Sequence, residues 1–154
     1  MVELDEYDKK IIMNMQEDAS ISNKDLAEKI GLAPSSCLLR VKNLKEQGII
    51  KKIVPIVDER QLGYEVIAFA KVDIKPMTHD TTEQFINAVS TIPQIVECYT
   101  ITGDGCFLVK IVAKDLVDYR NFVLDKLTSI PFVSDVDTSM VVGVEKQTYS
   151  VPIE

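Results

Sequence analysis

The stretch "SNKDLAEKIGLAPSSCLLRVKNLKEQG" leaves this chain few options. Ser22 is an N-cap and Gly31 a C-cap, so a short helix spans the residues between them, with Leu26, Ala27 and Ile30 on its inner face. The connection "GLA" leads to Pro34, whose fixed φ suits the first turn of the next helix, and Gly48 stops that one. Two short helices across a tight Gly-containing turn make a helix-turn-helix. Upstream, "LDEYDKKIIMNMQED" predicts another helix, with Leu4, Ile11, Ile12 and Met15 on one face and Asp5 as its cap, Asp8 lying three residues on.

The second helix of the pair carries the surface chemistry. At about 100° per residue, with Val41 as the inner direction, Cys37, Leu38, Leu44 and Lys45 fall within about 60° of it. Ser36, Leu39 and Asn43 lie nearly opposite, with Ser35 and Gln47 beside them, and Arg40 and Lys42 on the two flanks. Small and amide side chains reach base edges while flanking cations hold phosphates. Ser22, Asn23 and Lys24, where the first helix of the pair opens, complete the expected DNA-contacting set. "IIKKIVPIVD" then alternates enough for a short β wing, with Lys51 and Lys52 near a duplex backbone.

Charge bears on this reading through its distribution. The chain has a net charge of −7, which taken globally opposes nucleic acid. Yet residues 29–52 hold six Lys or Arg against Glu46 alone, between an N-terminal segment with three lysines and eight acids and a C-terminal one with eight bases and fifteen acids. Exposed charges more than about 8–10 Å apart are largely screened at cellular salt, so the local excess governs contact with phosphates.

Residues 55–65, "PIVDERQLGYE", read as a linker between a first domain over 1–54 and a second over 66–154. The second has a faint internal repeat: "STIPQIVECYTIT" and "TSIPFVSDVDTSM" align at a 38-residue offset, matching Ile92-Pro93 to Ile130-Pro131. In each, proline ends a helix and a strand follows. With the strands "VIAFAKVDI" and "CFLVKIVA", this gives βαββαβ, a ferredoxin-like α+β arrangement with two helices on one face of an antiparallel sheet. The first helix should bury Phe85, Ala88, Val89 and Ile92, the second Leu116, Tyr119, Val123 and Leu127. Val66, Ala68 and Ala70 alternate with Ile67 and Phe69, so the first strand is apolar on both faces. A sheet face left open and apolar predicts a homodimer made sheet to sheet.

Between the two middle strands stands "TITGDGCF". Gly103-Asp104-Gly105 is too short for a dinucleotide fingerprint, and a strand rather than a helix follows it. Asp104-Gly105 instead signals a type I′ hairpin, in which Gly103 faces Cys106 and Cys98 faces Ile111. That register leaves Cys98 and Cys106 about 15 Å apart, beyond disulfide reach. The lone histidine, His79, is expected to be exposed, and it supports neither a metal site nor a base for a cysteine nucleophile. Cys37 reads as a small core residue. No catalytic residue, metal or cofactor is predicted.

The quoted N-terminal stretches, "LDEYDKKII", "SNKDLAEKIGLAPSSCLLRVKNLKEQGIIK" and "VDERQLGY", resemble the N-terminal domain of the leucine-responsive/asparagine regulator (Lrp/AsnC, feast/famine) family. The second half is similar to that family's amino-acid-binding module, so the resemblance covers nearly the full chain. It implies a winged helix-turn-helix bound to double-stranded DNA and a homodimer assembling to a tetramer or octamer. It also implies an amino acid or similar effector near Tyr99, Gly103, Asp104, Gly105, Cys106 and Thr138, at a contact between dimers. The chain departs from the family pattern twice. Leu39-Arg40 stands where two arginines are usual. Gly105 and Cys106 stand where the hairpin usually has an aromatic residue and an aspartate that holds the effector's ammonium. A mostly protonated thiol does not replace that charge. Two other readings stay open: a tetrapyrrole decarboxylase of similar architecture, poorly served by one histidine, and an architectural DNA-binding protein with no effector. With no signal peptide and no apolar run long enough to span a bilayer, the chain is expected in the cytoplasm, off the membrane, with its cysteines reduced.

Overall fold

The computed structural model describes residues 3–103 and 105–154, which separate into two compact units. The first comprises residues up to Ile56 together with Lys146–Glu154; the second runs from Val57 to Glu145. The last nine residues, which sequence patterning assigns to the second domain, therefore go with the first.

In the first unit, α1 (Glu6–Glu17), α2 (Asn23–Ile30) and α3 (Pro34–Glu46) close on a core of Ile11, Leu26, Ala27, Ile30, Cys37 and Leu44. Each boundary has a local cause. Asp5 accepts from the amides of Tyr7 and Asp8, both at 2.9 Å, while the Asp8 carboxylate takes the Asp5 amide, a reciprocal capping box. The Ser22 hydroxyl accepts from Asp25 N–H. Gly31 adopts φ 74°, left-handed backbone that an L side chain resists, and so lets Leu32 N–H reach back to Ala27 O at 2.8 Å. Ala33 caps α3 without a side-chain bond, and Pro34 opens it. Two expectations fail here. Leu38 is 59% exposed rather than inward, because Cys37, Val41 and Leu44 fill the inner stripe of α3. No strand forms over 49–58, since a lone extended segment has no ladder partner in the unit; Lys51 and Lys52 lie on an exposed, unpaired run.

The second unit is a four-stranded antiparallel sheet in the order β2-β3-β1-β4, formed by β1 (Val66–Ile74), β2 (Ile95–Thr100), β3 (Phe107–Ala113) and β4 (Val133–Met140). α4 (His79–Ser90) and α5 (Leu116–Phe122) cover one face, α5 running on into a π turn over Val123–Leu127. Ala68, Ala70, Val72 and Ile74 of β1 and Phe107, Val109, Ile111 and Ala113 of β3 point to that side. They meet Phe85 and Val89 of α4 and Tyr119, Phe122 and Leu127 beyond them. Phe85 stacks on Phe107 with ring centroids 4.4 Å apart, pinning α4 to the middle of the sheet. Phe122 takes the core position expected of Leu116, which sits in the first turn of α5 and is exposed. Both Ile-Pro repeats behave alike: the helix ends before Pro93 or Pro131, and the strand starts two residues after it.

The β2–β3 register differs from the expected one. Cys98 pairs with Val109, not Ile111, and the last rung is Ile101 N–H to Cys106 O at 3.1 Å. The loop is thus four residues long, 102–105, with positive φ at Gly103 (101°) and Gly105 (94°). Two flexible glycines let the chain turn more widely than the two-residue hairpin that "DG" alone favours.

Candidate nucleic-acid interface and effector hairpin

The expected DNA-contacting residues fall into two groups. Ser35, Ser36, Leu39, Lys42 and Asn43 of α3, together with Lys24, Lys51 and Lys52, are exposed. Lys42 makes only a loose 3.6 Å approach to Glu46 one turn on. The remaining three are engaged within the unit. Ser22 is occupied in capping α2, its hydroxyl also donating to the Asp25 carboxylate at 2.6 Å. Asn23 donates through Nδ2 to Pro34 O at 2.9 Å, tying the start of α2 to the first turn of α3 and fixing how the two helices cross.

Arg40 departs furthest from expectation. Its Nη1 donates to Asp5 Oδ2 at 2.7 Å and Asp8 Oδ1 at 2.8 Å, and its guanidinium lies 5.4 Å from the centre of the Tyr7 ring. The two carboxylates raise its pKa further and hold it charged. Asp5 titrates below the usual carboxylate range, chiefly because the Asp8 amide donates to it, with Arg40 adding to the effect. Instead of a free flank cation, the arginine is a strut between α3 and α1. Sequence patterning missed it because its partners are 32 and 35 residues away, and no local spacing encodes such a contact.

Two of the expected effector residues lie far apart within one chain. Tyr99 lies on β2 opposite Leu108, on the sheet face away from the helices, and its hydroxyl donates to Glu97 Oε2 at 2.7 Å. Thr138 lies on β4 opposite Ala70, on the helix-covered face, and its Oγ1 accepts from the Tyr119 hydroxyl at 2.7 Å. β2 and β4 are the two edges of the sheet, three strand spacings or about 14 Å apart. Thr138 is therefore part of the contact between sheet and α5. Burial raises the Tyr119 pKa, and the bond to Thr138 offsets part of that rise.

The hairpin itself is close to β1. A Cβ on Gly105 would stand 3.3 Å from Lys71 Cβ and 3.9 Å from Asp73 Oδ1, and Cys106 N–H donates to Val72 O at 3.2 Å. The Cys106 side chain is half-buried and packs against the sheet–helix core, so it fills space at the sheet's end rather than standing free as a pocket wall. Asp104 lies outside the described residues. All three cysteines are free, and burial raises the Cys37 thiol pKa. His79 opens α4, exposed and 3.9 Å from Glu83. Among the described residues no cluster of His, Cys, Asp and Glu could hold a metal, and no helix is long and apolar enough to cross a membrane.

Comparison with known proteins agrees with this division of labour. A winged helix-turn-helix DNA-binding model matches residues 4–51, and an Lrp/AsnC ligand binding domain model matches residues 67–151. The chain is 53% identical over 151 residues to the transcriptional regulator AzlB of Bacillus subtilis, covering 98% of this chain and 96% of that one. It is 32% identical over 152 residues to a leucine-responsive regulatory protein of Rhizobium meliloti, with 99% and 97% coverage. Among solved structures, a Neisseria meningitidis transcriptional regulator in complex with L-Met superposes with a TM-score of 0.92 at 32% identity, over 97% of each chain.

Proposed function

The chain belongs to the Lrp/AsnC family of transcription regulators, and from that premise we propose that it is a sequence-specific repressor or activator that assembles through its sheet and responds to an amino acid. The observation that carries the DNA-binding part is α3, which presents Ser35, Ser36, Leu39, Lys42 and Asn43 outward behind a braced helix-turn-helix. Two such heads in a dimer suit half-sites about one helical turn apart. The test is a mobility-shift assay on promoter fragments across a salt series, in which log affinity falls by about 0.9 per phosphate neutralised for each tenfold rise in salt. A dimer that shows no salt-dependent shift on any promoter DNA overturns the reading.

The sheet's open face supports assembly of identical chains. Ile67, Phe69 and Leu108 are only half-buried there. Around them lie Lys71 with Asp73, Asp135 and Asp137, while Lys110 is 3.5 Å from Glu97. Lys71 and Lys110 stand within this face on the two middle strands, opposite Leu108 and Phe69, so a twofold axis can bring apolar and oppositely charged groups of two copies together. Sedimentation of the full chain tests this: a monomer at micromolar concentration counts against it.

For the effector, the related Neisseria protein was solved with L-Met. The ligand site then forms where copies meet, with Tyr99, on an edge strand and on the open face of the sheet, as one chain's contribution. The hairpin around Gly103 and Gly105 supplies one wall. A thermal-shift screen of the twenty amino acids tests it, since ligand at 100 times its Kd adds about 2.7 kcal/mol of stability. No shift with any of them favours an effector-independent architectural protein.

A further inference from the structure

We propose that Leu39 reads the C5-methyl group of thymine in the major groove, and that this apolar contact takes the place of guanine reading by an arginine. The inference rests on the DNA-binding role above and adds how the bases are recognised. One general rule and two observations carry it. Arginine is the commonest reader of guanine, through paired bonds to O6 and N7. The sole arginine of α3 is turned away from that task, its guanidinium bound to Asp5 and Asp8 beside the Tyr7 ring. Leu39 itself is 58% exposed on the outward side of α3, with Leu38 beside it at 59%. These leucines stand among exposed Ser35, Ser36, Lys42 and Asn43, with Lys51 and Lys52 following α3.

An exposed apolar pair set among cations and small polar groups is poorly matched to a hydrophobic protein partner, because those cations would lose their water. It matches a DNA groove, where phosphates answer the lysines and the thymine methyl is the one apolar feature of the base edges. Asn43 follows Leu39 by one helical turn, on the same face, about 6 Å away. Its carboxamide has the donor and acceptor that adenine N7 and N6 require, so a thymine beside an adenine fits the pair of side chains.

The test uses the full-length chain and duplexes enriched from a random-sequence library, re-made with each thymine in turn replaced by deoxyuridine. At a contacted thymine, loss of the methyl weakens binding by the unmodified protein about fourfold, the equivalent of one buried methyl group. Leu39→Ala weakens binding to the thymine duplex by a similar or larger factor and no longer distinguishes thymine from uracil. Because Leu39 is exposed, this variant keeps the fold, and its urea midpoint checks that. A deoxyuridine effect of the same size in both proteins, or no effect in either, overturns the proposal while leaving DNA binding intact. So does a Leu39→Ala variant that changes oligomeric mass and leaves the thymine-to-uracil ratio unaltered, which would assign Leu39 to a protein interface. If no duplex is retained at any salt concentration, the regulator reading falls and this inference with it.

Discussion

The carboxamide of Gln16 pairs with the backbone of Val151 in both directions: Oε1 accepts from Val151 N–H at 2.7 Å, and Nε2 donates to Val151 O at 3.1 Å. The side-chain amide acts as a one-residue neighbouring strand, and the Ser150 hydroxyl adds a bond to Gln16 O at 3.3 Å. The end of the chain is thereby part of the helix-turn-helix unit. Gln16→Ala should lower stability by about 1 kcal/mol, the net worth of a pair of partly solvated hydrogen bonds. Deleting residues 146–154 should cost at least as much. Urea unfolding followed through a probe in the first unit checks both, and an unchanged midpoint for the deletion would show that the tail contributes nothing.

Arg40 and Lys42 should separate in their salt dependence. Arg40→Ala should weaken DNA binding by loosening α3 from α1 while leaving the slope of log affinity against log salt nearly constant, because its charge is already answered by Asp5 and Asp8. Lys42→Ala should reduce that slope by about 1 per head. Titrations at four salt concentrations decide it. If Arg40→Ala flattens the slope as much as Lys42→Ala does, the arginine reaches phosphate in the complex.

Asp5 makes the first unit sensitive to acid. Its folded pKa is depressed below the ordinary 3.8, so its contribution is fully present above that value and is lost as pH falls through the lower, folded value. The wild-type unfolding midpoint should therefore drop below about pH 4, and Asp5→Asn should show a shallower drop because the group no longer titrates. Midpoints measured from pH 2.5 to 6 give the comparison. Parallel curves for the two proteins would assign the acid sensitivity to other carboxylates.

Cys106→Asp has two opposed effects. The half-buried side chain packs against the core, so a carboxylate there should cost about 1–3 kcal/mol unless it swings outward. If the position governs recognition, the same change should increase the thermal shift given by at least one amino acid, because a carboxylate binds an ammonium group more strongly than a cysteine side chain does. The twenty-compound screen repeated on both proteins reads this, and identical ligand profiles would remove position 106 from the pocket.

Tyr119→Phe removes the hydroxyl that bridges α5 to Thr138 and should cost about 1 kcal/mol with no change in ligand profile. A changed profile would return Thr138 to the effector site.

Much of the molecule follows from local rules. Ser22, Gly31, Pro34 and the two Ile-Pro pairs set element boundaries because caps and prolines act on neighbouring backbone within a residue or four. Alternation in Val66–Ile74 sets which residues of that strand face the helices, because strand side chains repeat every two residues. The exposed polar set of α3 likewise follows from helical periodicity. Tertiary structure alone decided the rest. Arg40 became a strut, the chain's end joined the first unit through Gln16, the glycine hairpin took a four-residue loop, and Tyr99 and Thr138 went to opposite edges and faces of the sheet. Each of these depends on contacts between residues distant in sequence or on a choice among strand registers of similar local energy. Periodicity and capping carry no information about such contacts; packing in three dimensions selects them.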